Sequence, residues 1–215
     1  MDWTQAVDQY CERMGPEFWA EPVNAVTNLA FVLAALVVWP RAVGLGRVLA
    51  VILVAIGIGS FLFHTFAQPW AGVADVVPIL LFILVMIYAA NRDFWGFGVG
   101  WSLLGVALFV PWTAVWLPLF QALGMGSTAG YAPVPVLILA YAIALWRRAP
   151  DTSRGLAIGA GILVVSLIMR MLDEPVCGAL PIGTHFGWHL LNAVMLGWMI
   201  RVHGVHVLAG RALGR

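Results

Sequence analysis

Seven long apolar runs, each about the length needed to cross a bilayer, constrain this chain more than any other feature. They lie at roughly 23–40, 47–66, 73–90, 96–119, 131–147, 155–172 and 185–207. About 20 helical residues span the roughly 30 Å of hydrocarbon. In lipid each backbone N–H and C=O must be satisfied within its own segment, which makes each run a helix. Short breaks separate them: Pro40-Arg41 to Arg47, Gln68-Pro69, Asn91-Arg92-Asp93, Gly124 to Gly130, Arg147 to Arg154, and Asp173 to Thr184. Pro111 and Pro118 fall in or at the end of the fourth run, where a membrane helix tolerates them. Only 10% of residues are charged and 62% are hydrophobic, whereas a soluble domain carries about a quarter charged residues. The expected fold is an all-α integral membrane protein, a seven-transmembrane helix bundle. No repeat, low-complexity tract or linker interrupts it, so residues 1–215 read as a single domain.

Arginine bias sets the expected orientation. In a seven-span arrangement Arg41, Arg47, Arg92, Arg147, Arg148, Arg154, Arg201, Arg211 and Arg215 share one side, leaving Arg13 and Arg170 on the other. That other side holds eight of the ten carboxylates, all but Asp93 and Asp151. The N-terminus is therefore expected outside and the C-terminus cytoplasmic. Residues 1–22 form a short acidic extracytoplasmic segment without the apolar core of a signal peptide. With no lysine and a net charge of +1 there is no basic patch for nucleic acid. The inner segments are too short to suggest a protein partner. Cys11 and Cys177 both fall outside, where a disulfide would persist; a bridge and two free thiols both fit.

Against this apolar background the polar residues of the spans gather near the outer boundary. Ser60 and His64 are four apart at the end of the second run, Asp75 opens the third, and His185 and His189 open the seventh. Residues four apart on a helix share a face. Ionisable groups inside a membrane are costly and mark sites by default. Three histidines can hold zinc with its fourth position open to water, the arrangement of a catalytic ion. Asp75 then suits a general base and Ser60 a donor to a developing oxyanion. The parts amount to metal-assisted hydrolysis of an acyl bond.

The chain also resembles the alkaline ceramidases, within the wider group of seven-span membrane proteins that includes the progestin and adipoQ receptors. The residues that carry the likeness are Glu21-Pro22-Val23-Asn24 with Thr27-Asn28, and Gly59-Ser60-Phe61-Leu62-Phe63-His64. Asp75 follows at the family's interval, and His185-Phe186-Gly187-Trp188-His189 opens the last span. The resemblance implies zinc (Zn2+) held by His64, His185 and His189, with Ser60 and Asp75 catalytic. It also implies a membrane lipid substrate, a ceramide-like molecule cleaved at its N-acyl amide. It further implies calcium (Ca2+) in the amino-terminal segment, for which Asp8, Glu12 and Glu21 are the candidate ligands. An acidic outer tail that merely obeys the charge rule reads the same way. This stretch also lacks the asparagine that follows the acidic pair in the family.

Elsewhere, Glu21, Asn24 and Asn28 share one face of the first span and need partners inside the bundle. Arg170 and Asp173 read as a local ion pair, and His203 and His206 as interfacial residues with no carboxylate beside them. The alternative to an enzyme is a receptor-like protein of the adipoQ-receptor type, with structural zinc and a bound lipid. A proton-relaying transporter would need polar residues through the inner halves of the spans, and those are almost purely apolar.

Overall fold

The computed structural model describes residues 2–212; Arg215, counted in the charge bias, lies outside them. The described residues form helices and no strands, and seven helical stretches are long and apolar enough to cross a membrane. They are α1 (Pro22–Arg41), α2 (Leu45–Phe66), α3 (Pro69–Phe94), α4 (Val99–Ala122), α5 (Gly126–Leu145), α6 (Pro150–Val176) and α7 (His185–Ala212).

Several begin earlier than hydropathy alone predicts, and proline is the reason. Pro22, Pro69 and Pro150 each open a helix. There the missing N–H costs nothing and the fixed φ is already helical. The polar breaks at Gln68-Pro69 and Arg147 to Arg154 are thus shorter than the sequence suggests. As a result Asp75 sits in the second turn of α3 rather than at its start. At the far end of α3 the chain continues as a π-helical segment, Ala90–Phe94, instead of breaking at Asn91.

α7 is the most enclosed helix: 50% of its most apolar window is buried, against 6% for α4. It packs against α1, α2 and α6, while α4 lies at the periphery. Phe31 of α1, Leu49, Leu53 and Ile56 of α2, Leu163 of α6 and Ile200 of α7 make up much of the buried core. Lipid tails are as apolar as these side chains, so close backbone approach, not exclusion from water, has to hold the helices together. Gly59 shows this between α2 and α3: a Cβ there would overlap the Ala74 carbonyl oxygen. Pro78, four residues beyond Ala74, cannot donate to that carbonyl. The freed carbonyl and the missing side chain thus meet, and they bring Ser60 level with Asp75.

The end of the bundle opposite the three histidines differs from expectation. His203 is buried, and its Nε2 donates to Asp93 Oδ2 at 2.6 Å. The π segment keeps the chain helical through Asp93 and so turns that carboxylate towards α7. His206 Nδ1 lies 2.7 Å from Thr152 Oγ1 of α6. These two histidines tie α3, α6 and α7 together and are not free interfacial residues.

Candidate metal centre

His64 sits in the last turn of α2, and His185 and His189 in the first turns of α7. All three are buried, and their candidate ligand atoms lie within 4.8 Å of one another. The ring centroids are 5.1 Å apart for His64–His185, 4.7 Å for His64–His189 and 4.6 Å for His185–His189. Three imidazoles contributed by two helices at one level can hold a metal ion.

The hydrogen bonds around the rings fit this use. Glu21 Oε2 accepts from His64 Nδ1 at 2.6 Å, and Thr27 Oγ1 lies 3.0 Å from His189 Nδ1. The Thr27 hydroxyl has one hydrogen, and the Val23 carbonyl at 2.8 Å and the Asn24 carbonyl at 3.0 Å are both in place to take it. Its lone pair therefore receives the His189 Nδ1–H. In both rings the lone pair is left on Nε2, and His64 Nε2 and His189 Nε2 are buried without a hydrogen-bond partner, as is His185 Nδ1. Buried polar atoms are almost always paired, so three orphaned ring nitrogens in one cluster suit a shared metal ion. A partner on the far nitrogen fixes tautomer and ring orientation, as metal-ligating histidines require.

Gly183 and Asp173 set the entry of α7 into the site. Asp173 Oδ1 accepts from the Thr184 and His185 amides at 2.7 and 2.9 Å, and Oδ2 accepts from the Cys11 amide at 3.0 Å. A carboxylate capping a helix N-terminus satisfies orphan donors and opposes the helix dipole. Gly183 has φ +61°, and a Cβ there would collide with Asp173 Oδ1 and Cys11 Cβ. Cys11 and Cys177 are joined in a disulfide, which fastens the amino-terminal segment to the α6–α7 connection. Asp173 is therefore a helix cap and not the partner of Arg170.

Arg170 turns the other way. Its Nη1 donates to Tyr10 Oη at 3.0 Å. Its guanidinium lies 5.7, 5.4 and 5.6 Å from the ring centroids of Tyr10, Tyr131 and Trp188, within the range of cation–π attraction. Tyr10 in turn stacks on His185 with centroids 3.8 Å apart. Burial, partly offset by Arg170, pushes the Tyr10 phenol up to about 12; it stays a neutral hydroxyl at physiological pH.

Asp75 is half-buried, with Ser60, His64 and Arg170 as its neighbours. Ser60 is buried. Of the carboxylates marked for calcium, Glu21 joins the histidine cluster, Glu12 caps α1 and Asp8 is exposed. They do not come together as one group of metal ligands among the described residues. The sequence signals missed Thr27, Arg13, Tyr10 and Asp173 as neighbours of the site. Thr27 alone had a visible cue, lying three residues after Asn24 on the face that must point inward.

Beneath the cluster an apolar cavity, open on one side, runs between α3, α5, α6 and α7. Its upper edge is Ile79, one turn beyond Asp75, and Trp188, between the two α7 histidines; its far end is Leu156 and Met199. Eleven residues of α7 separate Trp188 from Met199, a depth of about 16 Å at 1.5 Å per residue. Trp188 both packs on Tyr131, at 5.3 Å between centroids, and lines this space.

The family model described as Ceramidase matches residues 5–213, nearly the whole chain. No curated protein matches it.

Proposed function

The chain belongs to the ceramidase family, and from that premise we propose that it is a zinc-dependent hydrolase cleaving the N-acyl amide of a ceramide-like membrane lipid to a free fatty acid and a sphingoid base. The observation that supports this most is the set of three buried, unpartnered imidazole nitrogens. A neutral three-histidine donor set suits zinc and leaves a position open for water. Bound there, zinc would act as a Lewis acid and activate a water for attack on a carbonyl.

The protein's own groups do the rest. His64, His185 and His189 would hold the ion, oriented from behind by Glu21 and Thr27. Asp75 takes the proton of the attacking water at its carboxylate, then returns it to the departing amine nitrogen. The Ser60 hydroxyl donates to the oxyanion as it develops. The apolar cavity accepts the acyl chain and keeps water from it, and Trp188 at its mouth directs the carbonyl towards the histidines. The arginine bias at the opposite end of the bundle supports a site near the extracytoplasmic leaflet of a multi-pass protein.

The test is mass spectrometry of N-acyl sphingoid lipids incubated with detergent-purified protein. Wild type should release equal amounts of fatty acid and sphingoid base. Asp75→Asn should keep its zinc and lose about 10²–10⁴-fold in rate. Full turnover by Asp75→Asn would move the base elsewhere. Zinc retention with no release by wild type would leave the receptor-like alternative.

A further inference from the structure

Among the features outside the reaction, the amino-terminal segment departs furthest from what family resemblance implies. A hard divalent cation there needs several free oxygen ligands, and the candidates are already committed. Both Glu12 oxygens accept backbone amides opening α1, from Val23 at 2.7 Å and Asn24 at 2.8 Å. Glu21 Oε1 accepts from Arg13 Nε at 2.5 Å, and its Oε2 is taken by His64 and by Asn24 Nδ2 at 3.1 Å. Asp8 is exposed and apart from both. The residues do not fit calcium.

A cation is nevertheless present. Arg13 is 6% exposed, and its guanidinium is surrounded by oxygens. Besides Glu21, Nη1 donates to the Gly15 carbonyl at 2.9 Å and Nη2 to the His64 carbonyl at 3.0 Å. The His64 carbonyl is one of those left without a donor near the end of α2, where positive charge also meets the negative end of the helix dipole. The contacts close a ring. Arg13 holds Glu21 and the His64 backbone, while Glu21 holds the His64 imidazole. Both the main chain and the side chain of one candidate ligand are therefore fixed through a single buried guanidinium.

We infer that Arg13 takes the place of a divalent cation in the amino-terminal segment, so that this chain needs no calcium, and that Arg13 is a positioning residue for His64. The inference rests on the reading of the three histidines as zinc ligands, but not on any hydrolytic activity. A guanidinium suits the place because its planar fork presents Nε, Nη1 and Nη2 to three separately placed acceptors, whereas an ammonium gathers its three donors on one atom.

The experiment uses the full-length purified protein and reads metal content, zinc affinity and thermal midpoint, none of which depends on turnover. Elemental analysis after mild purification should find zinc and no calcium. The thermal midpoint should be the same in calcium chloride and in a calcium-selective chelator. Competition with a zinc chelator should show zinc held about 10–100-fold more weakly in Arg13→Ala, the range for loss of a partner behind a ligand. Arg13→Lys should fall between Arg13→Ala and wild type. Stoichiometric calcium in the wild-type protein, or a midpoint that rises with calcium, would overturn the inference. So would zinc held by Arg13→Ala as tightly as by wild type. If Arg13→Ala does not fold, the wild-type calcium content and midpoints decide alone. A protein that binds zinc but hydrolyses nothing would sink the proposed function and leave this inference standing.

Discussion

At the scale of single residues, the candidate ligand set stands out in the sequence because the background is so uniform. In a chain that is 10% charged, histidines at 64, 185 and 189 are conspicuous, and four-residue spacing puts the last two on one face. What lies behind each ring was not readable. Glu21 is 43 residues from His64 and Thr27 is 162 from His189, and only folding shows which carboxylate or hydroxyl reaches which nitrogen. The same limit explains the misreading of Asp173, which has a neighbouring arginine in sequence but three backbone amides in space. Two substitutions test the supporting bonds. Thr27→Val keeps the shape but removes the acceptor of the His189 Nδ1–H. Glu21→Gln removes the charge that faces His64. Each should weaken zinc about 10–100-fold in chelator competition, and unchanged affinity in either would show that its bond does not orient the ligand. Ser60→Ala should keep zinc and cost about 10²–10³ in kcat, the range for one oxyanion donor.

At the scale of elements, number and order of helices followed from the hydropathy runs, while their ends did not. Proline at the first helical position extends α3 and α6 into stretches that read as loop. The π-helical turn at Ala90–Phe94 runs through what read as a break. Composition does not announce such a turn, whose Asp93 and Phe94 meet His203 and His206 of α7, more than 100 residues away in sequence. The α2–α3 contact at Gly59 is the junction on which the site depends, since Ser60 and His64 follow it directly and Asp75 follows Ala74. Gly59→Ala should push the two helices apart, costing about 1–3 kcal/mol of stability and most of the hydrolysis. Gly161→Ala, where an added Cβ meets nothing within 4 Å, is the control and should leave the rate unchanged and the thermal midpoint no lower. Equal behaviour of the two variants would mean that the close approach at Gly59 positions nothing.

At the scale of the whole molecule, the bundle has two unlike ends. α2 begins beside Arg47 and finishes past His64, and α7 begins at His185 and finishes beyond Arg211. His64, His185 and His189 thus share one end, and most arginines lie at the other. Single cysteines at exposed positions test the orientation drawn from this bias: Met14→Cys should react with an impermeant thiol reagent on intact cells, and Asp151→Cys only after permeabilisation. The reverse pattern would put the site on the cytoplasmic face. Cavity depth also makes a prediction about substrate. Leu156→Phe, at the end far from the histidines, should lower turnover of long-chain amides more than short-chain ones at constant zinc content; an equal effect on both would mean that the chain lies elsewhere.

All of this depends on imidazoles from α2 and α7 sharing a single ion. Zinc content per chain, measured on purified wild type and on His64→Ala, His185→Ala and His189→Ala, tests that most directly. One zinc per wild-type chain and loss of zinc from each variant is the expected result. Full zinc occupancy in His64→Ala would contradict it, because α2 would then contribute nothing to the metal.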